Sequence, residues 1–448
     1  MNKIHLTDNR CDKFSELVNK YATIDSELYT KYNVKRGLRN SDGTGVLVGL
    51  TTVGEVTGYA MIDNEKQAIP GKLSYRGKEI REIIAAQNGR RFSFEEVIYI
   101  LLFSEVPSKK ELSEFCKLLS DNRELPYGFV EDSILKCPSP DVMNKMARSV
   151  LTLYSYDDDP DNREIGNVIR QVLELIARFS VIAAYGYKAK RHYYDNKSLV
   201  LHRNKPEYSI AENFLNLIRT DKSFTALEAE ILDLMLVLHA EHGGGNNSTF
   251  TTHVIMSSGT DVYSAVAAAI GSLKGPRHGG ANIKVVEMIE DLCRNVTDIS
   301  DEAQIEKYLE DVLDKKAHDK SGLIYGMGHA IYTLFDPRAE ILREKARELA
   351  EEKNMMKQFH LYELVEQLAP KVINRKTNKT ICANIDLYSG FVYQMLNIPK
   401  ELFTPLFAIS RIAGWSAHIL EEIVTNKRIM RPAYKSVSEK ESYVQPED

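Results

Sequence analysis

The chain has 448 residues, 43% hydrophobic and 27% charged, with a formal net charge of −5. That is the composition of an ordinary globular protein, long enough for two domains or for one large domain with a smaller appendage. It argues against a nucleic-acid surface, which needs a basic stripe, and against a membrane span, because no apolar run reaches about 18 residues.

Any anion site must therefore be built from local arginines. The N-terminus shows no basic-then-apolar leader, and the expected location is cytoplasmic. The five cysteines at 11, 116, 137, 293 and 382 have no paired spacing, so they read as reduced thiols, mostly packing residues.

Taken in order, Val56–Arg76 alternates like two strands around an Asn64-Glu65-Lys66 turn. Nearly everything after it carries helical periodicity: Phe94–Phe103, Asn167–Tyr187, Thr225–His242, Asp261–Leu273, Ile283–Leu292 and Phe403–Val424. The expected fold is all-α with one small N-terminal β-hairpin. Gly243-Gly244-Gly245 stops one helix, and Asn246-Asn247-Ser248 can cap the next. Gly275-Pro276 ends another. Asp336 is an N-cap with Pro337 at the first helical position, which puts Arg338 against the positive end of the helix dipole. Such a conflict fits a carboxylate receptor made of the arginine and free N–H groups.

Three of the 11 histidines, His242, His278 and His329, lie in glycine-rich breaks between helices. Glycine there allows tight turns and close approach, so each imidazole can project from a rigid helix end. Read singly, each has an ordinary role. A histidine at a helix end can satisfy the dipole, Asp386 can cap a helix, and Arg411 and Arg431 can be solvated charges.

The stretches containing them occur in order: "LHAEHGGGNNS" (238–248), "GPRHGGAN" (275–282), "GMGHAIYTLFDPR" (326–338), "NIDLYSG" (384–390), "AISRIAGW" (408–415) and "RIMRP" (428–432). Together they resemble the motifs of the citrate synthase family, and "LSYRGKEI" beside the hairpin is similar to the same family. The resemblance implies a mainly helical two-domain homodimer, with residues 1–282 and 391–448 as the large domain and 283–390 as a small domain that closes over the substrates. It implies that Asp386 takes a proton from the methyl group of acetyl-CoA. His278 then donates to the thioester carbonyl, and His329 polarises the ketone of oxaloacetate. His242, Arg338, Arg411 and Arg431 are implied to hold the oxaloacetate carboxylates, Arg431 from the partner subunit, with attack on the si face. Coenzyme A enters as a thioester substrate, with Gly326, Met327, Gly328 and Asn384 against it, and neither a tightly bound cofactor nor a metal is expected. Many relatives carry a lysine or arginine soon after the third-motif histidine. This chain reads Ala330-Ile331-Tyr332-Thr333-Leu334-Phe335 there, which leaves Lys376 or Lys379 for the coenzyme phosphates.

The chemistry asks for the same residue types. A thioester methyl is a weak acid, so an aspartate can deprotonate it only if a donor stabilises the oxygen, and one such donor is worth about 2.7–4 kcal/mol. A neutral imidazole suits that task, and planar guanidinium groups suit two carboxylates. The nearest rival is 2-methylcitrate synthase, whose propionyl-CoA differs by a methylene worth only about 1–3 kcal/mol. A citryl-CoA lyase module needs a ligase portion and phosphate loop that the sequence lacks. From another class, His239, His242 and His253 could suggest zinc, without the HExxH pairing. A non-catalytic relative would not need every reacting residue.

Overall fold

Between Ile165 and Asp195 apolar residues crowd every side of the helical wheel, and the chain forms one helix of 31 residues there, about 46 Å long at 1.5 Å per residue. Every side chain from Phe179 to Ala189 is buried, as expected of a helix that is apolar all round. Helices Val142–Leu153, Val262–Lys274 and Phe403–Thr425 pack against it. The last of these buries Arg411, Trp415 and His418 completely.

The computed structural model describes residues 9–41, 43–62, 65–87, 89–425, 428–440, 442–443 and 445. The chain parts into two compact units, 1–50 and 51–448. The first holds helices Asn9–Tyr21 and Ser26–Lys31, the second of them capped by the Asp25 carboxylate on the Glu27 N–H. No described side chain of this unit from 12 onward is buried.

The second unit carries the hydrophobic core. Its helices begin where the sequence supplies caps. Thr225 and Glu228 form a reciprocal capping box at the start of Ala226–His239, and Asp261 caps Val262–Lys274. Five helices, Ala281–Asn295, Glu302–Leu313, Pro337–Glu352, Met356–Thr377 and Asp386–Met395, pack largely on one another.

The hairpin is present. β1 (Gly54–Ile62) pairs antiparallel with β2 (Glu65–Tyr75), and a two-residue β3 (Lys78–Glu79) extends the sheet. The expected turn is displaced: Glu65 and Lys66 already pair with Ile62 and Met61, while Asn64 lies outside the described residues. Gly71 lies so close to the Phe335 carbonyl, and Gly58 to that of Ile331, that a Cβ at either position would collide with it. The hairpin thus presses directly on the segment between His329 and Arg338.

Other boundaries shift by a few residues. The helix expected over Thr225–His242 ends at His239, ahead of the glycines. Asn246 is the N-cap of Asn247–Ser257, yet its side chain caps no backbone N–H; it accepts instead from the Ser248 hydroxyl. All four described cysteines that carry a placed side chain are free, but Cys137 and Cys293 are exposed, so packing accounts only for buried Cys382 and half-buried Cys116.

Candidate active site

His329 follows Gly326-Met327-Gly328, and this loop is tied to the segment before Asp386 by a short antiparallel bridge between Met327 and Ala383. The Gly328 N–H donates to Cys382 O at 2.7 Å and the Asn384 N–H to Gly326 O at 2.9 Å. The Asn384 side chain closes the link, donating to Gly328 O at 2.8 Å and accepting the Asp386 N–H at 3.0 Å. Histidine and aspartate, far apart in sequence, are mounted on one framework. Asn384 and the two glycine carbonyls, expected against coenzyme A, are occupied by that framework.

The His329 ring accepts the backbone N–H groups of Ile331 and Tyr332 at Nδ1, both at 3.1 Å. A nitrogen that accepts carries no proton, so the ring hydrogen sits on Nε2. Burial first, and the Arg338 charge second, push its pKa down to about 4, leaving a neutral donor. His242 meets His329 edge to face at 5.0 Å between ring centroids, and Tyr332 stacks on His329 at 4.6 Å. Burial and then Arg338 hold His242 well below its ordinary value too.

His278 places Nε2 at 3.1 Å from the Ser248 hydroxyl, which also accepts the Trp415 indole N–H at 3.1 Å and lies 2.9 Å from Asn246 Oδ1. The other ring nitrogen, facing away from Ser248, is Nδ1. Burial, assisted by Arg411, lowers its pKa to about 4. Neither Ser248 nor Trp415 stood out in the sequence as functional, although both lie inside the recognised stretches.

The arginines differ. Arg338 is buried and bound by its own N-cap: Asp336 accepts from Arg338 Nε at 3.0 Å and from its Nη2 at 2.7 Å. Asp336 also takes the backbone N–H of Arg338, and its carbonyl accepts from Ala339 and Glu340. The free N–H groups expected at this helix start are therefore all used, which corrects that part of the receptor. Arg411 donates Nε to His239 O at 2.7 Å, whereas its Nη1 and Nη2, like His242 Nε2, are buried with no partner among the described residues.

The Asp386 carboxyl is pushed up to about 6, by burial first; Arg338 opposes the shift and Asp336 adds to it. Asp336 also accepts the Ile385 N–H at 3.3 Å, so one buried carboxylate touches both Arg338 and the start of the Asp386 helix. Asp386 thereby shares its charged neighbours, Arg338 and Asp336, with His329, and His242 shares Arg411 with His278.

Arg431 stands apart. It is exposed, in the segment after Phe403–Thr425, next to Met430, whose N–H donates to Ser257 Oγ. Lys376 is turned to Asp314 and Glu310 O, while Lys379 is exposed. His239 gives Nδ1 to Met235 O at 2.9 Å, and His253 gives Nδ1 to Glu422 at 2.7 Å, so they do not converge with His242; among the described residues no metal-binding group forms. Two surface cavities, of about 670 and 800 Å³, are lined by other residues, Arg91 and Tyr208 among the first set and Arg191 and Lys353 among the second.

Comparison with known proteins gives the same picture. Residues 42–433 match the family model described as "Citrate synthase, C-terminal domain". Citrate synthase 2 of Bacillus subtilis is 34% identical over 367 residues, 81% of this chain and 90% of that protein. The 2-methylcitrate synthase 1 of Corynebacterium glutamicum is 32% identical over 377 residues, covering 82% and 90%. A solved ternary complex of carboxymethyl coenzyme A and oxaloacetate with the citrate synthase of Thermoplasma acidophilum superposes with a TM-score of 0.73 at 26% identity, covering 92% of this chain and 98% of that one. With the helical fold, the ordered motifs and a match spanning most of its length, the chain belongs to the citrate synthase family.

Proposed function

We propose that the protein condenses acetyl-CoA with oxaloacetate and hydrolyses the resulting citryl-CoA to citrate and coenzyme A. The observation that carries this reading is the set of buried nitrogens without partners among the described residues, Arg411 Nη1 and Nη2 with His242 Nε2, beside a histidine whose Nε2–H is its available donor. Buried polar groups are normally satisfied, so such a set asks for a small anion with an adjoining carbonyl.

In this reading Asp386, raised toward neutrality, removes a methyl proton of acetyl-CoA while His278 donates from Nδ1 to the thioester oxygen. That donation requires the Ser248 O–H to turn from Asn246 Oδ1 to His278 Nε2, so that the ring proton lies on Nδ1. The enol carbon attacks the oxaloacetate ketone as His329 Nε2–H stabilises the developing alkoxide. Water then attacks the thioester carbonyl and coenzyme A leaves as the thiol. His242, Arg338 and Arg411 hold the carboxylates, and Arg431 completes the receptor from the partner subunit of a homodimer. Gly326, Met327, Gly328 and Asn384 face the coenzyme, with Lys379 toward its phosphates. The helices within 283–390 move as the small domain and exclude water.

A second reading, propionyl-CoA as donor, is favoured by the relative named 2-methylcitrate synthase at nearly the same identity. A thiol-release assay with oxaloacetate and a panel of short acyl-CoA donors tests both. The expected result is the highest kcat/KM with acetyl-CoA. A clear preference for propionyl-CoA selects the second reading, and no release with any donor rejects both.

A further inference from the structure

One residue before His242, Glu241 lies in the field of Arg411, yet no ion pair joins them among the described residues. Glu241 Oε1 accepts from His418 Nε2 at 3.1 Å and from the Gly243 N–H. Its Oε2 is buried without a partner and lies against Gly414, one helical turn from Arg411, where a Cβ would strike it.

His418 is fully buried, and its other nitrogen meets His253 Nε2 at 3.2 Å. His253 gives Nδ1 to Glu422 Oε2 at 2.7 Å, so its proton sits there and its Nε2 accepts. His418 must then donate from both nitrogens, as an imidazolium. Its charge faces Glu241 on one side and, on its own helix, Glu421 at 3.7 Å. Arg76 is the other cation whose field reaches these carboxylates. Burial opposes the charge on His418, but Glu241 and Glu421 together outweigh burial and raise the pKa to about 9.

A carboxylate whose field reaches a guanidinium with no partner among the described residues would be expected to close on it, as Asp336 closes on Arg338, because arginine and carboxylate pair bidentately and strongly. We infer that His418 and Glu241 form a positioning pair in which His418 holds the Glu241 carboxylate off Arg411, keeping that guanidinium open for a substrate carboxylate. This rests on the reading of Arg411 as part of the oxaloacetate receptor. Freed from His418, Glu241 becomes an internal competitor. The signature is a raised KM for oxaloacetate with kcat largely kept, because a saturating substrate displaces the competitor.

The test uses the purified full chain, with oxaloacetate varied at saturating acetyl-CoA. His418→Ala is expected to raise KM for oxaloacetate ~10-fold or more with kcat within ~3-fold. Adding Glu241→Gln to it is expected to restore KM to within ~3-fold of the parent, since the competing charge is gone. Should His418→Ala fail to fold, His418→Asn, too short to reach Glu241 and still polar toward His253, takes its place. Glu241→Gln alone, which leaves no unpaired buried carboxylate, is expected to keep KM within ~3-fold. A double variant no better than the single His418 variant overturns the inference, as does a ~10-fold rise with Glu241→Gln alone. Arg411→Leu separates the two levels. If it leaves KM unchanged, the receptor reading fails, whereas a raised KM there with normal KM in the His418 variants rejects only the positioning pair.

Discussion

Arg338 and Arg411 are both buried arginines in the same charged neighbourhood, and they are held in opposite ways. Arg338 starts a helix whose N-cap carboxylate binds it on two nitrogens. Burial works against its charge, but Asp336, with Tyr332 and Tyr75 behind it, outweighs burial and raises its pKa. Arg411 sits in the middle of a helix with two nitrogens unpartnered among the described residues, and burial, only partly offset by Glu241, lowers its pKa to about 10. The first is a finished ion pair that also braces the Asp386 helix. The second is an incomplete pair that a ligand can finish. Burial alone thus does not tell the two apart; the unfilled hydrogen bonds do.

The largest expected effect bounds the comparison from outside it, at a group that reacts and does not hold. Asp386→Ala is expected to lower kcat ~10²–10⁴-fold while leaving KM for oxaloacetate nearly unchanged and the melting temperature at neutral pH level or higher. A carboxyl whose folded pKa is raised favours folding only while protonated, and that advantage is lost as pH rises through about 6. At neutral pH its removal takes away no stabilising partner. Steady-state kinetics and a thermal melt check this, and near-normal turnover would remove Asp386 from the role of base.

Next in size is Arg338→Leu. It leaves Asp336 buried and unpaired, a situation that costs about 3–5 kcal/mol, so a marked fall in melting temperature should accompany a raised KM for oxaloacetate. Arg411→Leu should raise KM ~10–100-fold through the loss of charge-assisted bonds of about 1.5–3 kcal/mol. Its melting temperature without substrate should stay level or rise, because an unpartnered buried cation is gone. Two arginines giving the same thermal response would break the comparison.

Much of this was legible before any coordinates. Helix periodicity located six of the helices but not Val142–Leu153 or Met356–Thr377, Asp336 and Pro337 marked a helix start correctly, and the glycine frames singled out three histidines. The difference between the arginines was not legible. An N-cap aspartate at position 336 says nothing of which way its carboxylate turns, and side-chain closure between neighbours is decided by packing. Ser248 and Glu241 lay inside a recognised stretch, yet their pairing with His278 and His418 joins positions far apart in sequence and left no local signal. Arg431 remains exposed in a single chain, so its expected place in the receptor depends on a second subunit that one sequence cannot position.

The smallest expected effect tests the link between the finished pair and the reacting group. In the parent protein kcat/KM should fall on acidification with a midpoint near the raised value of Asp386, about 6. His278 and His329, lowered to about 4, remain neutral throughout that fall. If the reaction needed an imidazolium instead, the rate would climb between pH 6 and 4, the opposite sign. Asp336→Asn removes a negative neighbour that raises Asp386, and it frees Arg338, whose positive field lowers it. Both changes act in one direction, so the acid limb should move down by about one unit. A limb that stays in place would mean that burial alone sets the Asp386 value, and that Asp336 braces the helix without tuning the base.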